Sequence, residues 1–310
     1  MDRQNGRTIL ISIVAYKAEN YIKRCLDSLI WTTHYKNISI AVVDNSPTNV
    51  IESIVNRSNL DIAYHFTGDN IGFGKGHNYA LKKFISQHGH EPELIMVVNP
   101  DLVLKEKPFR LMLTAIEDDP SIAIVGPKLL DNKGVQERSV FTDPNAIDYT
   151  SGFVKKLFFP QQKQQTGLVA PKKSGYVKGL SGACMLIKRK ALKGNIIFDP
   201  DYFMYFEDLD LCKRISKDGW KIMFLEQAKA LHSRGGSSES DPDKELFLKR
   251  MMYHSLSKYF KKNKGPLNVF LLWLTLTLVL RIKILLRKET KWSKETYRSV
   301  DKIFQERSLK

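Results

Sequence analysis

Glu207, Asp208 and Asp210 place three carboxylates within four positions, after the aromatics Tyr202, Phe203, Tyr205 and Phe206. Neighbouring carboxylates in an aromatic pocket repel one another and lose hydration, which raises the affinity of one of them for a proton. That is the property required of a base that deprotonates an attacking hydroxyl. The same acids also suit the first turn of a helix, whose dipole favours negative charge. Asn99-Pro100-Asp101 follows the apolar run Leu94–Val98. An acid leaving a buried strand can bind a hard divalent cation whose shell is completed by diphosphate oxygens, or it can open a turn. Asp44 ends the run Ala41-Val42-Val43, where it can accept hydrogen bonds from a base edge or ribose hydroxyls, or close an Asx-turn. Asn70-Ile71-Gly72-Phe73-Gly74-Lys75-Gly76-His77-Asn78 reads as a glycine-rich loop opening a helix. Backbone N–H groups and the helix dipole can meet a phosphate there, although the GxGxG spacing is not the dinucleotide fingerprint. His232 follows an apolar run and precedes Ser233-Arg234-Gly235-Gly236, as a structural histidine or a ligand.

These residues need a scaffold, and the first half of the chain supplies the pattern for one. Short β-branched runs alternate with longer amphipathic ones, which predicts βαβ units, a mainly parallel sheet and helices on both faces. Strands are expected at Ile9–Ala15, Ile38–Val43, Ile62–Phe66 and Leu94–Val98, with helices at Ala18–Leu29, from Val50, and at Gly76–Gln87. Ligands of such sheets gather at the carboxyl ends of the strands, which places Tyr16, Asp44 and Asp101 at one rim. Residues 127–178 are weaker in period and read as strands and a long loop. Tyr176–Ile187 reads as a core strand pair or a strand with a tight turn, Asp199–Gly219 as a turn and helix ending at Gly219, and Trp220–Leu225 as a strand.

The 310 residues, 43% of them hydrophobic, allow a large core with a smaller appendage. Cys25, Cys184 and Cys212 are odd in number and far apart, which suggests neither a disulfide framework nor a zinc knuckle and fits a reducing, cytoplasmic setting. The apolar run of about eight residues before Tyr16 reads as a strand rather than a signal sequence. The formal charge of +16 is unevenly placed: residues 251–310 hold 14 Lys/Arg against four Asp/Glu, around the apolar stretch Leu267–Leu280. Basic residues bracketing an apolar helix point to an anionic membrane surface rather than to nucleic acid, for which an interleaved aromatic platform is missing. The stretch is shorter than the roughly 20 residues that cross a bilayer, so a surface helix or a homo-oligomer interface is expected. A second basic region, Tyr149 to Phe198, has ten Lys/Arg and no acid.

In order along the chain, a strand-end Asp44, a glycine-rich turn, a strand-end Asn-Pro-Asp, the run Gly182-Ala183-Cys184-Met185-Leu186-Ile187-Lys188-Arg189, the aromatic-flanked Glu207-Asp208 and a late His232 resemble the inverting GT-A glycosyltransferases of family 2. The likeness is greatest to the rhamnosyltransferase-like branch of bacterial surface polysaccharide synthesis (O-antigen or capsule) and spans Ile9 to Ser238. It implies a GT-A fold over residues 1–245, with a nucleotide-binding half at 1–105 and an acceptor-binding half at 106–245, followed by a helical, basic segment at 246–310. It also implies Asp208 as catalytic base, Gly182, Ala183 and Glu207 at the acceptor, and Asp101 and His232 on a divalent cation, Mg2+ or Mn2+. The nucleotide-sugar site would draw on Ala15, Tyr16, Glu19, Asp44, Asn45, Asn70, Gly74, Asn78, Asn99 and Arg234. The expected reaction moves rhamnose from dTDP-rhamnose onto a lipid-linked saccharide at the inner face of the cell membrane. UDP-galactose, UDP-galactofuranose and UDP-N-acetylglucosamine are the alternative donors, and a non-enzymatic membrane- or nucleic-acid-binding protein is the alternative class. Asn99 stands at the first position of the DXD-type motif, and an amide is a weaker metal ligand than a carboxylate.

Overall fold

The computed structural model describes residues 7–143, 145–148, 167–233 and 242–285. Its chain contacts define two units. The larger, Met1–Phe141 with Ala170–Phe203 and Glu207–Ser237, is built on a nine-stranded mixed sheet, beside which Val140–Phe141 and Gly179–Leu180 pair antiparallel in a separate small sheet. The strands are β1 (Ile9–Ala15), β2 (Ile38–Asp44), β3 (Ile62–Phe66), β4 (Leu94–Val98), β5 (Leu102–Val103), β6 (Ile122–Leu130), β7 (Val140–Phe141), β8 (Leu168–Val169), β9 (Gly175–Tyr176), β10 (Gly179–Leu180), β11 (Cys184–Lys188) and β12 (Lys221–His232). Of these, β8 belongs to the second unit. The sheet order is β3-β2-β1-β4-β11-β6-β12-β5, with β9 also paired to β12. The first four strands are parallel. Antiparallel β11 lies between β4 and β6, and β6 and β12 run parallel to each other.

Side chains of a strand alternate between faces, and β1 sorts its partners accordingly. Ile9, Ile11, Ile13 and Ala15 join a core cluster with Ile22, Cys25 and Leu26 of α1 (Ile22–Ser28) and Phe109, Met112 and Ile116 of α4 (Glu106–Asp118). On the opposite face Ser12 bonds His77 of α3 (Phe73–His88), Oγ to Nδ1 at 2.7 Å, and Val14 lies under Gly76. Burial pushes the His77 pKa down to about 3, so it is a neutral core histidine. Helices therefore cover both faces. Short α2 (Val50–Asn56) follows β2, and α5 (Glu207–Lys217) ends at Gly219, whose φ of +85° suits glycine after a helix.

Three elements differ from the sequence expectation. The first helix stops at Ser28 and gives way to a 3-10 turn at Ile30–His34. The strand expected at Trp220–Leu225 continues to His232 through a register shift between Leu225 and Lys229. The third helix starts at Phe73, not Gly76, so Gly74 and Gly76 sit inside it. Close packing accounts for both glycines: a Cβ on Gly76 would lie 2.7 Å from a Val14 methyl, and one on Gly74 2.8 Å from Phe198 Cβ.

The second unit comprises Thr142–Val169, Met204–Phe206 and Ser238–Lys310. Within it α6 (Pro242–Asn263) is followed by α7 (Pro266–Leu285), with Gly265 at φ +79° between them. Tyr259, Phe260, Leu272 and Leu276 are buried, and Asp143 receives both the Tyr259 hydroxyl and the Lys264 ammonium. Among the described residues no helix is long and apolar enough to cross a membrane.

Candidate active site

From β1 the chain moves outward to β2 and β3, then returns to the other side of β1 to form β4. That reversal makes the carboxyl ends of β1 and β4 a crevice of the kind in which open α/β sheets bind ligands. Tyr16, 46% exposed, follows β1 at this rim, and Asn99-Pro100-Asp101 follows β4. Two-residue β5 comes straight after Asp101 and pairs with the end of β12, His232 opposite Leu102, while Ser233 N–H donates to Asp101 O. This register carries His232 to the Asn-Pro-Asp motif. Its Nε2 lies 3.3 Å from Asp101 Oδ1 and 3.3 Å from Asn99 Nδ2, and its Nδ1 lies 2.8 Å from Glu137 Oε2. Burial alone would lower the His232 pKa, but the two carboxylates overcome that and lift it to about 9.

Among the described residues no group of three or more His, Cys, Asp or Glu forms a complete metal cage. What the rim offers is one carboxylate and one imidazole nitrogen facing each other, with the second ring nitrogen held from behind. That donor set fits a hard cation that takes its remaining ligands from a diphosphate. The sequence pairing of Asp101 with His232 is thus matched by proximity.

Asp208 and Glu207 open α5 next to this rim. Gly182 N–H donates to Asp208 Oδ2 at 3.0 Å and Leu209 N–H to Oδ1 at 2.8 Å. Burial outweighs these two amides and raises the Asp208 pKa to about 6. Glu207 is buried, its Oε2 has no hydrogen-bond partner among the described residues, and burial together with the Asp208 charge raises its pKa well above the ordinary range. Asp210 is a different kind of acid: fully buried, it pairs with Arg214 and accepts from the Tyr202 hydroxyl. Adjacent residues connect the two halves of the site, since Gly182 N–H holds Asp208 while Ala183 O accepts from Asn99 N–H. A Cβ on Gly182 would press on the Phe73 ring at 3.2 Å. Tyr205 and Phe206, just before Glu207, have φ of +70° and +67°. Left-handed backbone at two successive aromatics is strained, and such strain gathers at functional sites.

The residues expected around the nucleotide divide into those left open at the rim and those already engaged. Asp44 is fully buried: Oδ1 accepts from Ser46 N–H, the Asx-turn, and Oδ2 accepts from the Tyr64 hydroxyl. Asn45 is buried too, donating to Gly72 O. Asn70 caps Gly72 N–H, and Asn78 holds the backbone of Ile197 and Phe198. Gly74 is buried in α3, and the Phe73 N–H of that helix's first turn already donates to Phe203 O. The glycine-rich segment is therefore a packing device between α3, β1 and Phe198 and Phe203, which corrects its reading as an open phosphate loop. Ala15 is buried, Glu19 is half-buried, and Arg234 lies outside the described residues. Glu137 was missed altogether, because it follows a polar turn with no periodicity.

The sequence model described as "Glycosyltransferase like family 2" matches residues 6–251. The N-acetylglucosaminyl-diphospho-decaprenol L-rhamnosyltransferase of Mycobacterium tuberculosis is 28% identical over 242 residues, 75% of this chain and 78% of that protein. Rhamnosyltransferase WbbL of Escherichia coli K12 is 26% identical over 258 residues, 81% of this chain and 91% of that one. Among solved structures, the Pyrobaculum calidifontis mannosyltransferase PcManGT, in complex with GDP-Man and Mn2+, superposes with a TM-score of 0.52 at 13% identity, over 96% of this chain and 74% of that chain. The fold is that of the GT-A glycosyltransferases, and the chain belongs to glycosyltransferase-like family 2, as a glycosyltransferase.

Proposed function

We propose that this chain transfers rhamnose from dTDP-rhamnose to a lipid-diphosphate-linked saccharide, in one inverting displacement with Asp208 as base. The observation that carries the reading is the joint tethering of Asp208 and Asn99 by neighbouring Gly182 and Ala183, with the Asp208 pKa raised to about 6. Asp208 takes the proton of the acceptor hydroxyl as that oxygen bonds to the anomeric carbon. The bond from that carbon to the diphosphate breaks, its electron pair leaves on the diphosphate, and configuration inverts. Glu207, whose affinity for a proton is raised by burial and by the Asp208 charge, contacts the acceptor. Asp101 and His232 would hold a divalent cation, Mg2+ or Mn2+, whose charge would offset that of the leaving diphosphate. Tyr16 receives the nucleoside at the rim, above the turn that Asp44 fixes. The rhamnose donor and the lipid-diphosphate acceptor are inferred from the names of the two relatives.

Purified chain screened for thermal stabilisation with nucleotide sugars, with and without Mn2+ or Mg2+, tests the donor. dTDP-rhamnose with metal is expected to stabilise it by about 2.7 kcal/mol at a concentration 100 times Kd. Stabilisation by a UDP-sugar alone would reassign the donor; no response to any nucleotide sugar, together with no transfer or hydrolysis, would end the enzymatic reading.

A lipid-linked acceptor calls for a membrane surface, and α7 suits one. Leu267, Phe270, Leu274 and Leu278 are 69%, 53%, 46% and 55% exposed, and their spacing of three, four and four puts them on one helix face. Lys261 and Lys262 before the helix and Arg281 near its end are exposed, and each cation near an anionic leaflet adds about 1 kcal/mol. This part of the reading makes the chain a peripheral protein of the inner membrane face. Leu274→Glu with Leu278→Glu, both at exposed positions, is expected to weaken binding to phosphatidylglycerol vesicles in sedimentation by about 30-fold or more, since each loses roughly 1 kcal/mol or more of apolar burial, with donor stabilisation intact. Unchanged sedimentation would remove α7 as the contact.

A further inference from the structure

We propose that Glu137 is the positioning residue of the metal-holding pair: it takes the Nδ1–H of His232 and thereby fixes the ring so that Nε2 is the nitrogen presented to the cation site beside Asp101. The inference rests on the reading of Asp101 and His232 as cation ligands, and it adds a residue that neither the motifs nor the family likeness assigns. A carboxylate only accepts, so a Glu137 Oε2 to His232 Nδ1 distance of 2.8 Å places a proton on Nδ1. With Nδ1 tied to Glu137, Nε2, 3.3 Å from Asp101 Oδ1, is the ring nitrogen that would give up its proton to a cation. Both side chains are nearly enclosed, 13% exposed for His232 and 7% for Glu137, so the contact is insulated from water.

The local fold is built to deliver this carboxylate. After β6 the chain reverses in a tight turn: Asp131 Oδ1 accepts from Lys133 and Val135 N–H, and Gly134 adopts φ +75°. Gln136 then bridges back to Leu130, and Glu137 N–H donates to Leu129 O. Leu129 and Leu130 are themselves paired with Ala230 and Leu231 on β12, so Glu137 is one strand away from the residue preceding His232. A ring nitrogen anchored to a carboxylate behind a metal-ligating histidine orients the ring and raises its basicity, and losing such a partner weakens metal binding about 10–100-fold.

Mn2+ binding followed by electron paramagnetic resonance, at saturating dTDP and separately at saturating UDP, tests it on the full chain. Glu137→Ala is expected to weaken Mn2+ about 10–100-fold, and Glu137→Gln, which keeps an acceptor of the same shape, by less. The metal-free melting temperature of the Gln variant should match the wild type, and excess Mn2+ should restore its turnover, so that the defect sits in the metal requirement rather than in kcat. If the Ala variant does not fold, the Gln variant decides. Wild-type Mn2+ affinity in the Glu137 variants, with affinity lost in His232→Ala, overturns the role of Glu137 and leaves the ligand pair standing. Wild-type affinity in both His232→Ala and Asp101→Asn overturns the ligand pair, and the role of Glu137 with it.

Discussion

Asp208→Asn protein is expected to fold, to bind its donor, and to turn over about 10²–10⁴-fold more slowly, the share that a positioned base commonly contributes. The substitution keeps the shape, and the amide oxygen can still accept from Gly182 N–H, as Oδ2 does in the native protein. What it removes is the proton-accepting charge. In the native enzyme kcat/KM should fall as pH drops through about 6, where burial has placed the Asp208 titration, and the asparagine variant should lack that limb. Stability has the opposite sign. A carboxyl whose folded pKa is raised above its unfolded value favours the fold most when protonated, so this contribution grows as pH falls from above 6 toward the ordinary carboxyl value of 3.8. The neighbouring Asp208 charge and burial raise Glu207 as well, so the protons of the two adjacent carboxyls come off in linked steps. Single-turnover kinetics and thermal unfolding over pH 5–8 check both trends; near-native turnover in the asparagine variant would disqualify Asp208.

Asp101→Asn is expected to reduce transfer by about 10²–10⁴-fold, equivalent to several kcal/mol of lost charge stabilisation on the leaving diphosphate. Asp101 is the carboxylate at the end of β4 that faces His232 Nε2. With Asn99 beside it, the variant would present two amides and one imidazole, too weak a set for a hard cation. The variant also loses one of the two carboxylates that hold the His232 pKa up to about 9, so that histidine should titrate at lower pH, which proton NMR can follow. Transfer measured against Mn2+ concentration is the deciding experiment. A variant stimulated by Mn2+ as strongly as the native chain would rule out Asp101 as the ligand.

Periodicity and strand-end chemistry made most of the scaffold legible. β1, β3 and β4 match their expected bounds, and β2 runs one residue longer, to Asp44. β1, β4 and most of β2 are buried runs, and apolar β-branched stretches leave few other options. The GxGxG segment reads as a loop in sequence but lies inside α3, because a glycine kept for a turn and a glycine kept for close packing look alike there. Only the distances from Gly76 to Val14 and from Gly74 to Phe198 separate them.

From its sequence alone this protein's α/β class, its family likeness and the order of Asp44, Asp101, Asp208 and His232 could be read, because local pattern determines which residues end buried strands and which open a helix. The different surroundings of Asp208 and Asp210 were decided by tertiary structure, since the Gly182 amide and the Arg214 guanidinium that distinguish them come from another segment or another turn. The same holds for Glu137, 95 residues from the histidine it holds. Their meeting depends on the register of β6 against β12, a long-range pairing that leaves no trace in the spacing of either residue.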